Sequence, residues 1–479
     1  MRARRRRGVK VGRPDPGLTP YSGLAAISEL IEKLGVVEAL DEAIGPIKQR
    51  ARGLTGAELL VGMATAQLAG QDFLVGLDRL RADVAGQVLA PVAGPASTTA
   101  AGLARRFTDE QWTAVERGLA AITERMLALV PDRQRGRLTA RATIDIDTTD
   151  VEVYGPKKRG VAYNYQGQRC GRPHVATWAE AETTLAAELM SGDQDPRGHA
   201  ADLLERALAS LPEPVRAWAQ IALRADAGYF AGDLARAAHA HGICFAIGAK
   251  RIAPLWRLLP GIGADVWTGA IDMHATQVAV ADYRPTEWPP GTRLLIRRTR
   301  LDAEQVSADP RSRRRRTLHP DQRALPLEEL AEADGIYTYS FILTNRDVSS
   351  PGRAAAVEHW YRHRTSIENV FRDSKLGAAL RHLPSGYEQV NTAWMWGALI
   401  AADIAAWLHQ LTATTTPGGV LAGHGARDGK AMIATLRHRL INVPARLIRH
   451  AGQLLLRLPP GHELLAEILA RLRALPATS

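Results

Sequence analysis

The chain has 479 residues, 46% of them apolar and 23% charged, which allows roughly two to four domains with buried cores and excludes a mostly disordered or fibrous chain. The formal net charge is +11, which points to a polyanionic partner, nucleic acid before an anionic membrane. Only eight of the 61 cations are Lys; the rest are Arg, the bidentate reader of phosphates and base edges, although GC-rich coding DNA yields the same bias.

Residues 1–16 hold Arg2, Arg4, Arg5, Arg6, Arg7, Lys10 and Arg13 against Asp15 and read as a flexible basic arm with no apolar segment of a secretory signal behind it. Residues 17–138 read as helical. Leu24, Ile27, Leu30, Ile31 and Leu34 recur at helical spacing and stop at Gly35. Thr55-x-x-Glu58 and Thr108-x-x-Gln111 are capping boxes opening two further helices. Ser97–Phe107, with Arg105 and Arg106, reads as a short helix between them. Several short basic helices suit a helix-turn-helix type DNA-binding region, and any small helical bundle has the same appearance.

Strands begin near residue 139 and alternate with helix to residue 250. Residues 142–147 alternate with period two, Ile144 and Ile146 on one face and Asp145 and Asp147 on the other. Residues 221–226 repeat the pattern with Arg224 and Asp226 opposite the aliphatics. A helix capped by Asp233 and a strand over 243–248 complete a βαβ-like unit, hence an α/β core. Cys170 and Cys244 are the two cysteines, which excludes a disulfide scaffold or a Cys-based zinc module and fits a reducing compartment. Residues 251–345 read as a β-rich insertion with strands at 277–281, 293–298 and 336–343 and a basic loop from Arg311 to Arg316. Residues 346–412 return to helix. Their most apolar stretch, Ala393–Leu408, is broken by Asp403 and is too short to span a bilayer comfortably, so a soluble, intracellular protein with no membrane partner is expected. Residues 413–479 form a basic C-terminal segment. The arm and this segment each carry a surplus of six positive charges, and the body between them is almost balanced.

Tyr361, Arg364, Glu368 and Lys375 lie at offsets of 0, 3, 7 and 14, within about 60° of one another on one helix, with Trp360, Ile367 and Phe371 beside them as anchors. A solvated ion-paired face has the same composition, but surface pairs contribute only about 0–1 kcal/mol. Asp147 and Asp226 each end a strand, and the carboxyl ends of strands are where sites form in α/β sheets. Two Asp and a Glu are the hard oxygen donors of Mg²⁺ or Mn²⁺. Two such ions about 4 Å apart can activate water or a 3′-hydroxyl and stabilise the leaving oxygen of a phosphodiester. Asp145 shares the face of Asp147, so alternation does not separate them. Asp147 is preferred because Thr148-Thr149 follows it at the strand end.

Tyr361-(2)-Arg364-(3)-Glu368-(6)-Lys375 resembles the Y-R-E-K signature of bacterial insertion-sequence DDE transposases, DDE transposase group 1. Asp147-Thr148-Thr149 resembles their first-Asp motif, and Arg224-Ala225-Asp226-Ala227-Gly228-Tyr229-Phe230 the second. Leu383-Pro384-Ser385, Val390-Asn391-Ala393-Trp394 and Val443-Pro444-Ala445-Arg446 extend the likeness over residues 20–460. Gly155, Tyr165-x-Gly167 and Pro173 fit loosely, with Cys170-Gly171-Arg172 departing from the expected aromatic residue; no role attaches to them.

The resemblance implies a ribonuclease H-like catalytic core with the β-rich segment inserted between Asp226 and Glu368. It implies catalytic and metal-ligand roles for Asp147, Asp226 and Glu368 toward two Mg²⁺ or Mn²⁺ ions, and DNA-phosphate contacts for Tyr361, Arg364 and Lys375. Relatives that form end hairpins stack a flipped base on a Trp of the insertion, a role that would pass to Trp288. The implied function is transposition: binding double-stranded DNA at terminal inverted repeats, cutting the element ends and joining 3′-hydroxyls to target DNA. The complex would be at least a dimer, in the bacterial cytoplasm on the nucleoid. The alternatives are a non-transposing ribonuclease H-like nuclease and a catalytically idle DNA-binding regulator.

Overall fold

A computed structural model describes residues 9–49, 52–301, 306–307, 316–317, 336–413 and 430–476. The expectations for Arg2–Arg7, for the loop from Arg311 to Arg315 and for most of the linker after Thr412 lie outside the described residues.

The N-terminal region folds as helices α1 (Leu24–Leu34), α2 (Val36–Ile44), α3 (Gly56–Leu68), α4 (Val75–Ala82), α5 (Val84–Leu89), α6 (Ser97–Ala104) and α7 (Asp109–Leu129). The local signals act as read. Gly35 ends α1 in the left-handed region at φ 56°, which glycine adopts without a Cβ clash. Thr55 with Glu58, and Thr108 with Gln111, close reciprocal capping boxes. Helix α3 is buried on almost every face. It lies against a long C-terminal helix, where Gln67 Nε2 donates to the Trp394 carbonyl at 3.1 Å, so α3 is not free to enter a DNA groove.

The central region is a mixed α/β fold on one mixed sheet. Its principal strands are β1 (Arg141–Thr148), β2 (Arg169–Trp178), β3 (Thr183–Ser191), β4 (Gln220–Ala225), β5 (Cys244–Ala249), β6 (Thr276–Ala281), β7 (Arg293–Leu301) and β8 (Ile336–Thr344), in the order β3-β2-β1-β4-β5-β8-β7-β6. The β3–β2 and β2–β1 pairs are antiparallel, β1–β4 and β4–β5 parallel, and the outer pairs antiparallel. Both faces of β1 are covered, so its alternation does not divide core from solvent: Ala142 through Ile146 are all buried. The β-rich segment extends this sheet, Phe341 pairing with Ala249 and Thr344 with Ala246. Helices α8 (Ala200–Ala209) and α9 (Gly232–Ala240) follow in the core. Asp233 lies inside α9 and pairs with Arg236; the cap is Ala231.

The chain then forms α10 (Pro351–Arg362), α11 (Thr365–Leu376) and α12 (Glu388–Thr412), and ends with strands β9 (Ala445–His450) and β10 (Gln453–Arg457) and helix α13 (Leu464–Ala474). One continuous apolar cluster runs from Leu24 to Leu472. The two ends meet: Leu18 and Thr19 pair with Arg446 and Ala445, and Asp15 lies 3.1 Å from Arg446. No helix among the described residues is long and apolar enough to cross a membrane.

Asp403, which interrupts the apolar run of α12, is fully buried and accepts from the Thr184 backbone N–H at 2.8 Å, joining α12 to β3. Burial pushes its carboxyl up to about 7. The folded chain therefore holds this proton more tightly than the unfolded chain, where an Asp titrates near 4. The resulting stability is complete below about pH 4 and is lost as pH rises through 7. Asp403→Asn is expected to flatten that decline, gaining most over the wild type near pH 8 and least near pH 5 in thermal unfolding.

Candidate active site

Register places the acids. Asp145 on β1 faces Arg224 on the parallel strand β4. Asp145 is 0% exposed and receives a bidentate guanidinium, Nε to Oδ1 at 2.7 Å and Nη2 to Oδ2 at 2.8 Å, plus the Ser366 hydroxyl at 2.6 Å. Arg224 Nη1 donates to the Trp360 carbonyl at 2.5 Å. Both Asp145 oxygens are thus committed inside the protein. Two residues further along each strand, Asp147 and Asp226 line one cleft of about 750 Å³. Alternation alone left Asp145 and Asp147 equivalent; the partner on β4 separates them.

Asp147 Oδ1 accepts from the Thr148 N–H at 2.8 Å, and Oδ2 from Arg364 Nη1 at 2.7 Å. Asp226 caps the turn after β4, accepting from the Gly228 N–H at 2.7 Å. Burial, reinforced by the Asp226 charge and opposed by Arg364, pushes the Asp147 carboxyl up to about 6. Burial works against the Arg364 charge, but Asp147, Tyr361 and Asp226 more than restore it and raise its pKa. Arg364 also lies 3.5 Å from Glu368. Glu368 is 57% exposed and lines an adjoining cleft of about 720 Å³ with Tyr361 and Arg364, the two clefts meeting at Lys250. Among the described residues no three His, Cys, Asp or Glu side chains come close enough to hold a metal. Asp147 and Asp226 share a cleft, and Glu368 reaches Asp147 by way of Arg364.

The polar stripe does not ride on one continuous helix. The helix breaks after Arg362, and Arg364 caps α11. With Arg224 drawing on the Trp360 carbonyl, the Arg364 N–H bonds back three residues to Tyr361 at 3.0 Å, a tightened turn. Ile367 and Phe371 are buried anchors as expected. Tyr361 donates to the Ala225 carbonyl at 3.2 Å, and burial, with Asp226 adding and Arg364 opposing, pushes its phenol up to about 12. A Cβ on Gly248 would come within 2.7 Å of both that hydroxyl and the Ala227 N, so only glycine admits this approach. Lys375 Nζ donates to the Asp150 carbonyl at 2.8 Å, and burial lowers its pKa. Trp288 is 4% exposed, between Phe230 and Phe245. In this structure a base reaches its ring only if the core opens.

Sequence reasoning assigned nothing to Asp150, Asn164 and Arg172, which also line the acidic cleft. Arg172 Nε and Asn164 Nδ2 each donate to Asp150 at 2.7 Å. The signal available was the Tyr165-x-Gly167 segment; the pairing itself depends on the fold of β2.

A family model described as Transposase DDE domain group 1 matches residues 3–309 and 327–477. The chain belongs to the transposase DDE domain group 1 family. It is a transposase of the DDE type, and DDE transposases generally use divalent metal ions. No curated protein matches the chain. Among solved structures it is similar to a cryo-EM structure of a piggyBac transposase synaptic complex with hairpin DNA, at 10% identity over 80% of this chain and 76% of that one, with a TM-score of 0.36. The donor set suits a DDE transposase: Asp147 and Asp226 offer hard oxygens in one cleft, and Arg364 already supplies Asp147 with positive charge.

Removing one partner from a buried pair leaves an uncompensated charge, which costs about 3–5 kcal/mol. Arg224→Ala is expected to destabilise by that amount in denaturant unfolding, and Asp145→Ala combined with Arg224→Met by less than Arg224→Ala alone.

Proposed function

We propose that this transposase binds the terminal inverted repeats of its own insertion sequence, cuts the DNA at the element ends and joins the freed 3′-hydroxyls to target DNA. The observation that carries the reading is the position of Asp147 and Asp226, side by side at the carboxyl ends of two parallel strands. The order β3-β2-β1-β4-β5, antiparallel and then parallel, supports a ribonuclease H-like core, with β6 to β8 inserted before the helix that carries Glu368.

Asp147 and Asp226 would hold Mg²⁺ or Mn²⁺ from their shared cleft, and Glu368, separated from Asp147 here by Arg364, would complete the set for two ions once Arg364 turns away. When bound, the ions activate water and stabilise the leaving 3′-oxygen. Arg364 is drawn between the Asp147 carboxylate and a DNA phosphate, and can orient either. Tyr361 borders the Glu368 side of the site and Lys375 the Asp150 side, where hydroxyl and ammonium would fix the backbone beside the cut. The complex acts as at least a dimer on paired ends, in the bacterial cytoplasm on the nucleoid.

The test substrate is a duplex bearing the terminal inverted repeats to be sought in the DNA that flanks the gene. Asp147→Asn, Asp226→Asn and Glu368→Gln are each expected to slow Mg²⁺-dependent cleavage by about 100-fold or more, the loss typical when one electrostatic stabiliser of a transition state is removed. Undiminished cleavage by all three variants overturns the assignment. Cleavage without transfer of a labelled 3′-end supports the plain nuclease instead, and repeat binding without any cutting supports the idle regulator. Deleting residues 1–16, which carry seven cations, is expected to flatten the slope of log affinity against log salt by about 0.9 for each DNA phosphate that the arm neutralises; fluorescence anisotropy at several salt concentrations measures it.

A further inference from the structure

We propose that Tyr165, together with Tyr163, forms a stacking platform for an unpaired DNA base at the edge of the acidic cleft. The proposal rests on the DNA-cutting reading above and adds the group that receives a base there.

The chain has ten tyrosines, and three in one short segment are strongly exposed: Tyr154 at 85%, Tyr163 at 67% and Tyr165 at 90%. Tyr163 and Tyr165 line the same cleft as Asp147 and Asp226. Trp288 is buried and takes no base in this conformation. The two tyrosines are therefore aromatic surface within the cleft itself.

Their backbone is held, which separates them from aromatics on a loose loop. Tyr163 pairs with Arg169 of β2. The turn that follows is closed by Asn164 N–H to the Gln168 carbonyl and Gly167 N–H to the Asn164 carbonyl, both at 2.9 Å, and Gly167 takes φ +73°. Asn164 Oδ1 accepts from the Gln166 and Gln168 N–H groups, at 3.0 and 2.9 Å. Asn164 Nδ2 then donates to Asp150, which Arg172 clamps from β2 and Lys375 from α11. Asp150 stands three residues after Asp147. The rings are thus referenced to the catalytic strand through a short hydrogen-bonded chain.

The chemistry selects the ligand. The cleft wall carries Asp193 and Asp195 besides Asp147, Asp150 and Asp226, against Arg172, Arg197 and Lys250. Without divalent ions this surplus of acids gives the stretch around the tyrosines no phosphate contact of its own, whereas a neutral phenol ring takes a base by its π-face. A paired base inside a duplex has both faces covered, so the ligand is a base released from the stack. Stacking of this kind is tolerant of sequence because every base has a π-face.

The test uses the full-length chain, a fluorescein-labelled single-stranded oligothymidylate, a duplex of equal length, and a single strand carrying 2-aminopurine. The double variant Tyr163→Ala with Tyr165→Ala is expected to lose roughly 5- to 150-fold in single-strand affinity and to keep duplex affinity within about twofold. Bound 2-aminopurine should be quenched by the wild type and by the Tyr163→Phe, Tyr165→Phe pair, and not by the alanine pair. Unchanged single-strand affinity and quenching in the alanine pair, or equal losses for both DNAs, would overturn the platform. If the acid variants lose cleavage while the alanine pair keeps its quenching, the platform falls and the DNA-cutting reading stands. If the wild type binds neither DNA, both fall.

Discussion

The buried pair between Asp145 and Arg224 is the constraint on which the site depends. It couples β1 to β4 at one register position, so that two residues later Asp147 and Asp226 emerge on the same face. A slip of one residue in either strand would turn one acid to the opposite face. The same guanidinium takes the Trp360 carbonyl, and Ser366 bonds Asp145, so the junction between α10 and α11 is fixed by the pair that fixes the strands. Burying two charges costs several kcal/mol per ion before their attraction offsets it. The gain lies in specification: one pair sets strand register and the point where Arg364 leaves the helix.

Arg364 follows from that placement. Two carboxylates at the ends of adjacent strands repel each other, and burial raises the cost of keeping both ionised. The guanidinium offsets this by bonding Asp147 and lying beside Glu368. Asp147 and Glu368 share this one guanidinium, which also feels the Asp226 charge. The cleft therefore couples three charged species through one side chain.

The wider architecture is shared among distant parts of the chain. Helix α3 is enclosed by α12, and the β-rich segment prolongs the catalytic sheet. The basic surplus sits at the two ends of the sequence. Residues 18–19 pair with residues 445–446, so the beginning of the described chain and the basic C-terminal hairpin share one small sheet.

Much of the local structure was legible in the residues. The capping boxes at Thr55 and Thr108 and the stop at Gly35 were readable because each rests on contacts within a few positions. The strands around Asp147 and Asp226 and the three β-runs after residue 251 were readable from residue type and period-two alternation, although their partners lie far along the chain. The motifs around the two Asp and the Y-R-E-K residues resemble the transposase family to which the chain belongs. What the residues left open was decided by partners far along the chain. Asp145 and Asp147 share a face, and their partners distinguish them: Arg224 and Ser366 take Asp145, and Arg364 takes Asp147. The helix after Trp360 was expected to run on, and breaks where Arg224 draws on its carbonyl. Trp288, an aromatic residue in an apparently open insertion, is buried because Phe230 and Phe245 close over it. Asn164 and Arg172 gain their meaning only when β2 brings them to Asp150. Periodicity records which face a side chain takes; the tertiary structure supplies the charge or ring that meets it there.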